Sequence, residues 1–351
     1  MNVIKDWFTR YFADPQTILL TVLLLLGLGT VLFVGDLIAP VLVSLVLAYL
    51  LEGIVRKLVD IGARRDRCIL VVYILFLATL FIIILGLSPL LWTQVADLIG
   101  EMPTYLRRGQ SMLMSLPQNY SFISEGQISE VVQLMQQKIA GQGQYLLSLS
   151  LSSIPGLFTL IIYFILVPLL VFFFLKDKDL LLKWFISFLP QERKLSSRIW
   201  DDVNLQIGNY IRGKFWEILA VGGATFIAFA FMGLKYSVLL SVIVGFSVLV
   251  PFIGAAVVTL PVAMVGFFQF GWSSEFAWVM GVYGIIQALD GNILVPLLFS
   301  EVVNLHPVAI IVAVLFFGGI WGFLGIFFAI PLATLVSAII NAWPRPDEIV
   351  E

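Results

Sequence analysis

The sequence predicts an all-α polytopic membrane protein, with about eight transmembrane helices, some broken or re-entrant, and an extramembrane helical segment. Three observations carry this reading. The 351-residue chain is 60% hydrophobic and 12% charged, where a soluble domain has about 45–50% apolar and about 25% charged residues. Its mean hydropathy is +1.04, and the apolar residues fall in runs long enough to cross hydrocarbon. Between Lys235 and Arg345 there is no lysine and no arginine at all. A net charge of −2 gives no basic balance that would suggest nucleic acid as a partner. The single cysteine, Cys68, has no intrachain disulfide partner and sits beside a basic run, as a membrane-edge residue does.

Taken in order, residues 18–34 predict the first span. Gly35-Asp36 is expected to break it, and residues 37–51 to return as the second span, with Pro40 near its start. The first apolar run lacks a small-residue cleavage pattern and is long enough to span, unlike a signal peptide. Residues 69–92 form the third span and close an N-terminal unit, 1–92. The stretch 93–153 is the least hydrophobic part of the chain. In it Ile128, Val131, Val132, Met135 and Ile139 recur at helical spacing. It reads as an extracytoplasmic helical segment, either a cap over the spans or a connector on the membrane surface.

Residues 154–175 are the fourth span, with Pro168 as a kink. In 176–214 Leu195, Ile199, Val203, Ile207 and Ile211 repeat every four residues, as in a helix lying in the interface. That helix leads into Phe215 and the fifth span as either an elbow or a passive anchor. The region 215–344 holds the remaining spans. Residues 236–270 are too long for one straight helix and carry Pro251, Gly254 and Pro261, so they read as a span plus a broken or re-entrant piece. Residues 276–299 follow. Residues 308–340 contain Gly318, Gly319, Gly322, Gly325 and Pro331, and form either one long kinked helix or two short ones. The glycines put small residues on one face, which suits close helix packing, or a hinge ahead of Pro331.

Basic residues set the orientation. Arg56, Lys57, Arg64, Arg65 and Arg67 follow the second span, and eight Lys and Arg residues from Lys176 to Lys214 follow the fourth. Those segments are expected in the cytoplasm, and both termini with them, including the tail 345–351, if the crossings are even in number.

The tract without basic residues holds three acids, Glu275, Asp290 and Glu301, and the only histidine, His306. A carboxyl at membrane depth is costly and persists where it faces a cavity, a partner or an ion path. Asp290 is followed by Gly291, Asn292 and Pro296, and interrupted helices beside a carboxylate and an amide are a recurring design for transporter sites. Gln287, Asp290, Asn292, Glu301, Asn304 and His306 are therefore the candidate substrate- or ion-binding residues. Pro251, Gly254, Pro296, Gly322, Gly325 and Pro331 are the candidate conformational residues. The competing readings are that Asp290 caps a turn near the surface, that Ser300 to Pro307 is an aqueous loop, and that His306 sets its shape. At membrane depth Asp290 must be protonated, bind a cation, or find a distant partner, with Arg212, Lys214 or Lys235 the nearest in kind.

No enzyme signature appears. One histidine and one cysteine supply no zinc motif, there is no phosphate-binding loop, and no cofactor or metal is expected. A Ser–His dyad using His306 has no supporting pattern.

The segments Asn209-Tyr-Ile-Arg-Gly213, Pro251-Phe-Ile-Gly254, Asp290-Gly-Asn-x-x-x-Pro296, Val303-Asn-Leu-His-Pro307 and Phe317-Gly-Gly-x-x-Gly322-x-x-Gly325, with Ala329-Ile-Pro-Leu-Ala-Thr334 beyond, resemble the autoinducer-2 exporter-like family of permeases. The resemblance covers nearly the whole chain. Phe172-Phe-Phe-Leu-Lys-Asp177 supports it, and Gly245-Phe-Ser-Val-Leu-x-Pro251 places it closest to the PerM-type branch of Gram-negative bacteria. It implies a bacterial inner-membrane protein of about eight helices, surrounded by membrane lipids and assembled as a homo-oligomer, a pentamer in one reading. It also implies export of a small polar solute or ion, coupled to protons or sodium. Relatives export autoinducer-2 or exchange sodium for protons, and the PerM-type branch has no secure substrate, so neither activity transfers directly. The alternative is a channel-like or structural oligomer without coupled transport.

Overall fold

A computed structural model describes residues 15–119, 153–187, 194–251, 253–299 and 305–342. All regular structure among them is helical. In order these are α1 (Pro15–Asp60), α2 (Arg65–Ile82), a π-helical turn (Ile83–Leu87), α3 (Ser88–Asn119), α4 (Ser153–Lys176) and α5 (Lys178–Ser187). Then come α6 (Lys194–Phe231), α7 (Ser237–Ser247), α8 (Ile253–Phe270), α9 (Ser274–Leu289), a second π-helical turn (Asp290–Leu294), α10 (Val295–Phe299) and α11 (Pro307–Ala342). Six described stretches are long and apolar enough to cross a membrane: Leu37–Asp60, Arg65–Met112, Asn204–Phe231, Ile253–Phe270, Ser274–Phe299 and Pro307–Ala338. Hydrocarbon offers no water to backbone amides, so each must bond inside its own helix. That rule explains several departures from the expectations above.

The break expected at Gly35-Asp36 is absent. α1 runs through it as one helix of 46 residues, and Gly35 is buried against the indole of Trp321. Glycine weakens a helix in water, but here it permits a close contact. The expected end of the third span at Trp92 is also absent. α2, the π turn and α3 run on as one stretch from Arg65 to Met112, 48 residues long. At 1.5 Å per residue that is about 70 Å, more than twice the hydrocarbon thickness, so one end projects from the bilayer. The amphipathic repeat at Ile128 to Ile139 lies outside the described residues. α6 joins the expected interface helix to the fifth span as one continuous helix, Lys194–Phe231.

Two stretches do fold back. α7 and α8 are separated by a tip around Val248 to Pro251, and pack against each other. The tip is tight: the Gly254 amide donates to the Val250 carbonyl at 2.9 Å, and a Cβ on Gly254 would collide with the Ser247 carbonyl. α11 kinks sharply at Gly322, whose φ of 58° and ψ of −135° are open to glycine and costly for other residues. Its two arms, 307–321 and 323–342, then lie together. Gly325 abuts the Phe317 carbonyl, and Ala313, Val314 and Ala329 form a buried cluster with Phe317 and Ile326. Of the two readings of 308–340, two short helices hold.

The core lies where α6 crosses α7. A Cβ on Gly245 would stand 3.1 Å from the Gly222 Cα, so the backbones nearly touch, as small residues allow in membranes. Val221, Phe229, Leu240, Val244, Val262, Val265, Val279 and Tyr283 fill the space around this crossing. A second network ties the ends of α1, α2 and α5. Glu52, 7% exposed, accepts from Arg65 at 3.0 and 3.2 Å and from Lys178 at 3.0 Å.

Candidate functional site

α6 carries Lys214 and Glu217 one turn apart into the apolar core, and both are buried, at 5% and 2% exposure. Lys214 Nζ lies 2.7 Å from Glu217 Oε2, a buried ion pair. Such i, i+3 pairs are ordinary on wet helix surfaces. Buried, a pair persists only when further polar contacts offset the desolvation. Here Lys214 Nζ also donates to the Val248 carbonyl at 2.8 Å. That carbonyl is free because α7 ends at Ser247 and leaves its last turn without an intrahelical donor. The ammonium stands 5.1 Å from the ring centre of Phe299, within cation–π range. One lysine therefore joins α6, the α7–α8 tip and the end of α10.

Asp290 opens the second π turn, and the Val295 amide reaches back five residues to its carbonyl. The break expected at Gly291-Asn292 is absent; the helix widens instead. The extra residue per turn takes Pro296 into the helix, where a proline in regular α geometry would strike the carbonyl four residues earlier. The π turn packs on α6, which puts Asp290 within Coulombic reach of Lys214 and Glu217. Asp290 Oδ1 is buried and has no hydrogen-bond partner among the described residues, and the same holds for Gln287 Nε2, one turn earlier. Asn292 is exposed and donates within its own helix, to the Ala288 carbonyl at 2.8 Å.

Of the three basic residues named as partners for Asp290, Lys214 acts on it through charge, from beyond ion-pair distance. Arg212 is exposed, donates to Asn209 Oδ1 at 2.9 Å and lies over the Tyr49 ring. Lys235 pairs with Glu101 at 3.0 Å at the far end of α6. His306 is exposed at the start of α11, where its Nδ1 accepts from the Val308 amide at 3.3 Å. Glu275 sits in the first turn of α9. Glu301 and Asn304 lie outside the described residues. Pro251 and Gly254 shape the tip beside Lys214, Gly322 and Gly325 shape the α11 hairpin, Pro296 is exposed on α10, and Pro331 is buried in the second arm of α11.

Glu217 is the residue that sequence reasoning misses. Its signal is Lys214-x-x-Glu217 at the mouth of an apolar run, which reads as the polar edge of a span until α6 is seen to run on for several turns on both sides of the pair, from Lys194 to Phe231. Among the described residues no cluster of three or more His, Cys, Asp or Glu could hold a metal ion. The arrangement is a buried ammonium–carboxylate pair held against the α7–α8 tip, with a second carboxyl, Asp290, on the neighbouring π turn.

The family model described as AI-2E family transporter matches residues 20–345. The chain is 46% identical to a candidate permease, PerM of Escherichia coli strain K12, over 345 residues, 98% of each chain. It is 29% identical to a candidate transport protein, YueF of Bacillus subtilis strain 168, over 88% of this chain and 84% of that one. YrrI of the same organism, also named a candidate transport protein, is 26% identical over 86% and 84%. The chain is a multi-pass membrane protein of a transport family and not an enzyme. With a match over nearly its whole length and a relative 46% identical end to end, it belongs to the AI-2E transporter family.

Proposed function

We propose that this protein is a secondary transporter of the bacterial inner membrane, exporting a small polar solute or ion at a centre built from Lys214, Glu217 and Asp290, with proton or sodium coupling. One observation carries the reading: a buried Lys214–Glu217 pair sits inside apolar membrane-crossing helices beside a second carboxyl, Asp290, whose Oδ1 is buried with no hydrogen-bond partner among the described residues. With all three groups ionised, one negative charge stays uncompensated, and low-dielectric surroundings make that state expensive. A proton or a monovalent cation relieves it. Lys214 also holds the Val248 carbonyl, so a change of charge at Asp290 or Glu217 alters the grip on the α7–α8 tip. This supports coupling between occupancy of the centre and movement of the hairpin, the element an alternating-access cycle needs.

The test is a thermal-shift screen on purified protein in detergent, with sodium, potassium and a panel of small polar solutes. A species that binds the folded state raises the melting temperature with concentration. The reading requires at least one such species whose effect disappears in Asp290→Asn. A screen in which every stabilising species acts equally on wild type and Asp290→Asn contradicts it.

A further inference from the structure

Four buried side-chain atoms have neither a hydrogen-bond nor an ion-pair partner among the described residues: Thr225 Oγ1, Gln287 Nε2, Asp290 Oδ1 and Trp321 Nε1. Native proteins leave few such atoms, and each calls for an explanation. Three of the four lie on two neighbouring elements, α6 and the end of α9 with its π turn. On α6, Glu217, Val221, Thr225 and Phe229 are spaced every four residues and so share one face. That face meets α9 at two levels. Glu217 is within Coulombic reach of Asp290 at one, and the Phe229 ring lies 6.3 Å from the Tyr283 ring at the other. Thr225 on α6 and Gln287 on α9 fall between these levels.

Thr225 is unlike its neighbours in kind. It is fully buried, yet its hydroxyl does not bond back to its own helix, the ordinary recourse of Ser and Thr in apolar surroundings. Thr259, Ser44 and Thr79 all do so, donating to the carbonyl four residues earlier. Beyond Thr225 the polar row continues: the Tyr283 hydroxyl, one turn before Gln287, stands 3.2 Å from that of Thr259 on α8, and with the Thr259 hydrogen on the Ala255 carbonyl at 2.7 Å, Tyr283 is the donor of that contact.

We propose that Thr225 and Gln287 form a second binding site, for ordered water, and that this water links the Asp290 carboxyl to the Tyr283–Thr259 hydroxyl pair as a proton path between α6 and α9. The inference rests on the proton-coupled form of the function proposed above and assigns its route. The chemistry of the row favours water and protons over a metal ion. Hydroxyls both accept and donate, as each link of a relay must, whereas a dehydrated metal cation needs acceptors alone and is repelled by an amide N–H. Buried waters typically make about three hydrogen bonds to otherwise unsatisfied polar groups. The balance is simple. A proton received at one end is matched by one passed on at the other; every hydroxyl and water ends with the protons it began with, and the excess proton rests on Asp290. Among the described residues the charged groups acting on Asp290 are Lys214 and Glu217, both from α6.

The test is infrared spectroscopy of the full-length protein in lipid during transfer from H2O to D2O. The protonated carboxyl band of Asp290 is assigned by its loss in Asp290→Asn, and its isotopic downshift times proton access. We expect Thr225→Val and Gln287→Leu each to slow that downshift by about tenfold or more, the scale of one lost hydrogen-bonded link. Thr225→Ser, which keeps the hydroxyl, should exchange like wild type. Equal exchange rates in Thr225→Val, Gln287→Leu and wild type overturn the path while leaving the centre intact. Absence of any protonated Asp290 band from acid to neutral pH overturns the path and the proton-coupled reading together.

Discussion

Lys214 Nζ and Glu217 Oε2 stand 2.7 Å apart, both on α6 and both almost wholly buried. The lysine divides its donors between Glu217 and the Val248 carbonyl, and the second carboxyl, Asp290, feels its charge from beyond ion-pair distance. Removing one partner of a buried pair leaves an uncompensated charge and costs about 3–5 kcal/mol, whereas replacing both by apolar residues costs far less. Lys214→Met should therefore destabilise the protein strongly, and Lys214→Met with Glu217→Leu should recover most of that loss. Melting temperatures in detergent decide this; a double variant less stable than either single one contradicts the pair.

The tip that Lys214 holds depends on Gly254. An added Cβ there meets the Ser247 carbonyl, a backbone atom that cannot rotate away, whereas at Gly223 it meets nothing within 4 Å. Gly254→Ala should lower stability markedly. Gly223→Ala should be neutral or slightly stabilising, by up to about 1 kcal/mol from helix propensity. Melting curves for the two variants side by side make the comparison.

At the other end of α6, the projecting part of α3 clasps the turn into α7. Lys235 pairs with Glu101 at 3.0 Å, Tyr105 donates to Glu101 at 2.6 Å, and Gln94 Oε1 accepts from the Leu239 amide at 2.8 Å. The ion pair is half-exposed, so its worth is at most about 1 kcal/mol and is screened by salt. Lys235→Glu should lower the melting temperature by a few degrees at low salt, and Lys235→Glu with Glu101→Lys should restore it. A loss of the same size in molar salt would assign the effect to something other than the pair.

Glu52 gathers Arg65 and Lys178 from two other helices, with Arg56 at 3.5 Å. Glu52→Gln keeps the shape and removes the charge. It should destabilise the protein by about 1–3 kcal/mol, the cost of leaving hydrogen-bonded cations without their acceptor, while solute binding at the Lys214 centre stays unchanged. Thermal melting with and without a stabilising solute separates the two effects.

Much of this was legible in the sequence, for reasons that also mark where legibility ends. The tract without lysine or arginine singled out Asp290, because a lone acid in apolar sequence is costly wherever it lies. Pro251 with Gly254 indicated the α7–α8 break, since proline removes a donor that hydrocarbon does not replace. Gly35-Asp36 and Gly291-Asn292 misled for one shared reason. In water such pairs end helices, but in a membrane the backbone has no other partner, so the helix runs on at Gly35 and widens at Asp290. Glu217 escaped notice because its burial follows from α7 and the π turn closing over α6, a tertiary arrangement that no local pattern encodes.

The central claim is that the Lys214–Glu217–Asp290 centre carries transport. It is tested most directly by flux into proteoliposomes, with a panel of small polar solutes, with and without a pH or sodium gradient, comparing wild type with Asp290→Asn. The account predicts gradient-driven flux of at least one solute or ion in wild type and loss of the gradient dependence in Asp290→Asn. Flux that keeps its full rate and its pH and sodium dependence in Asp290→Asn would contradict it.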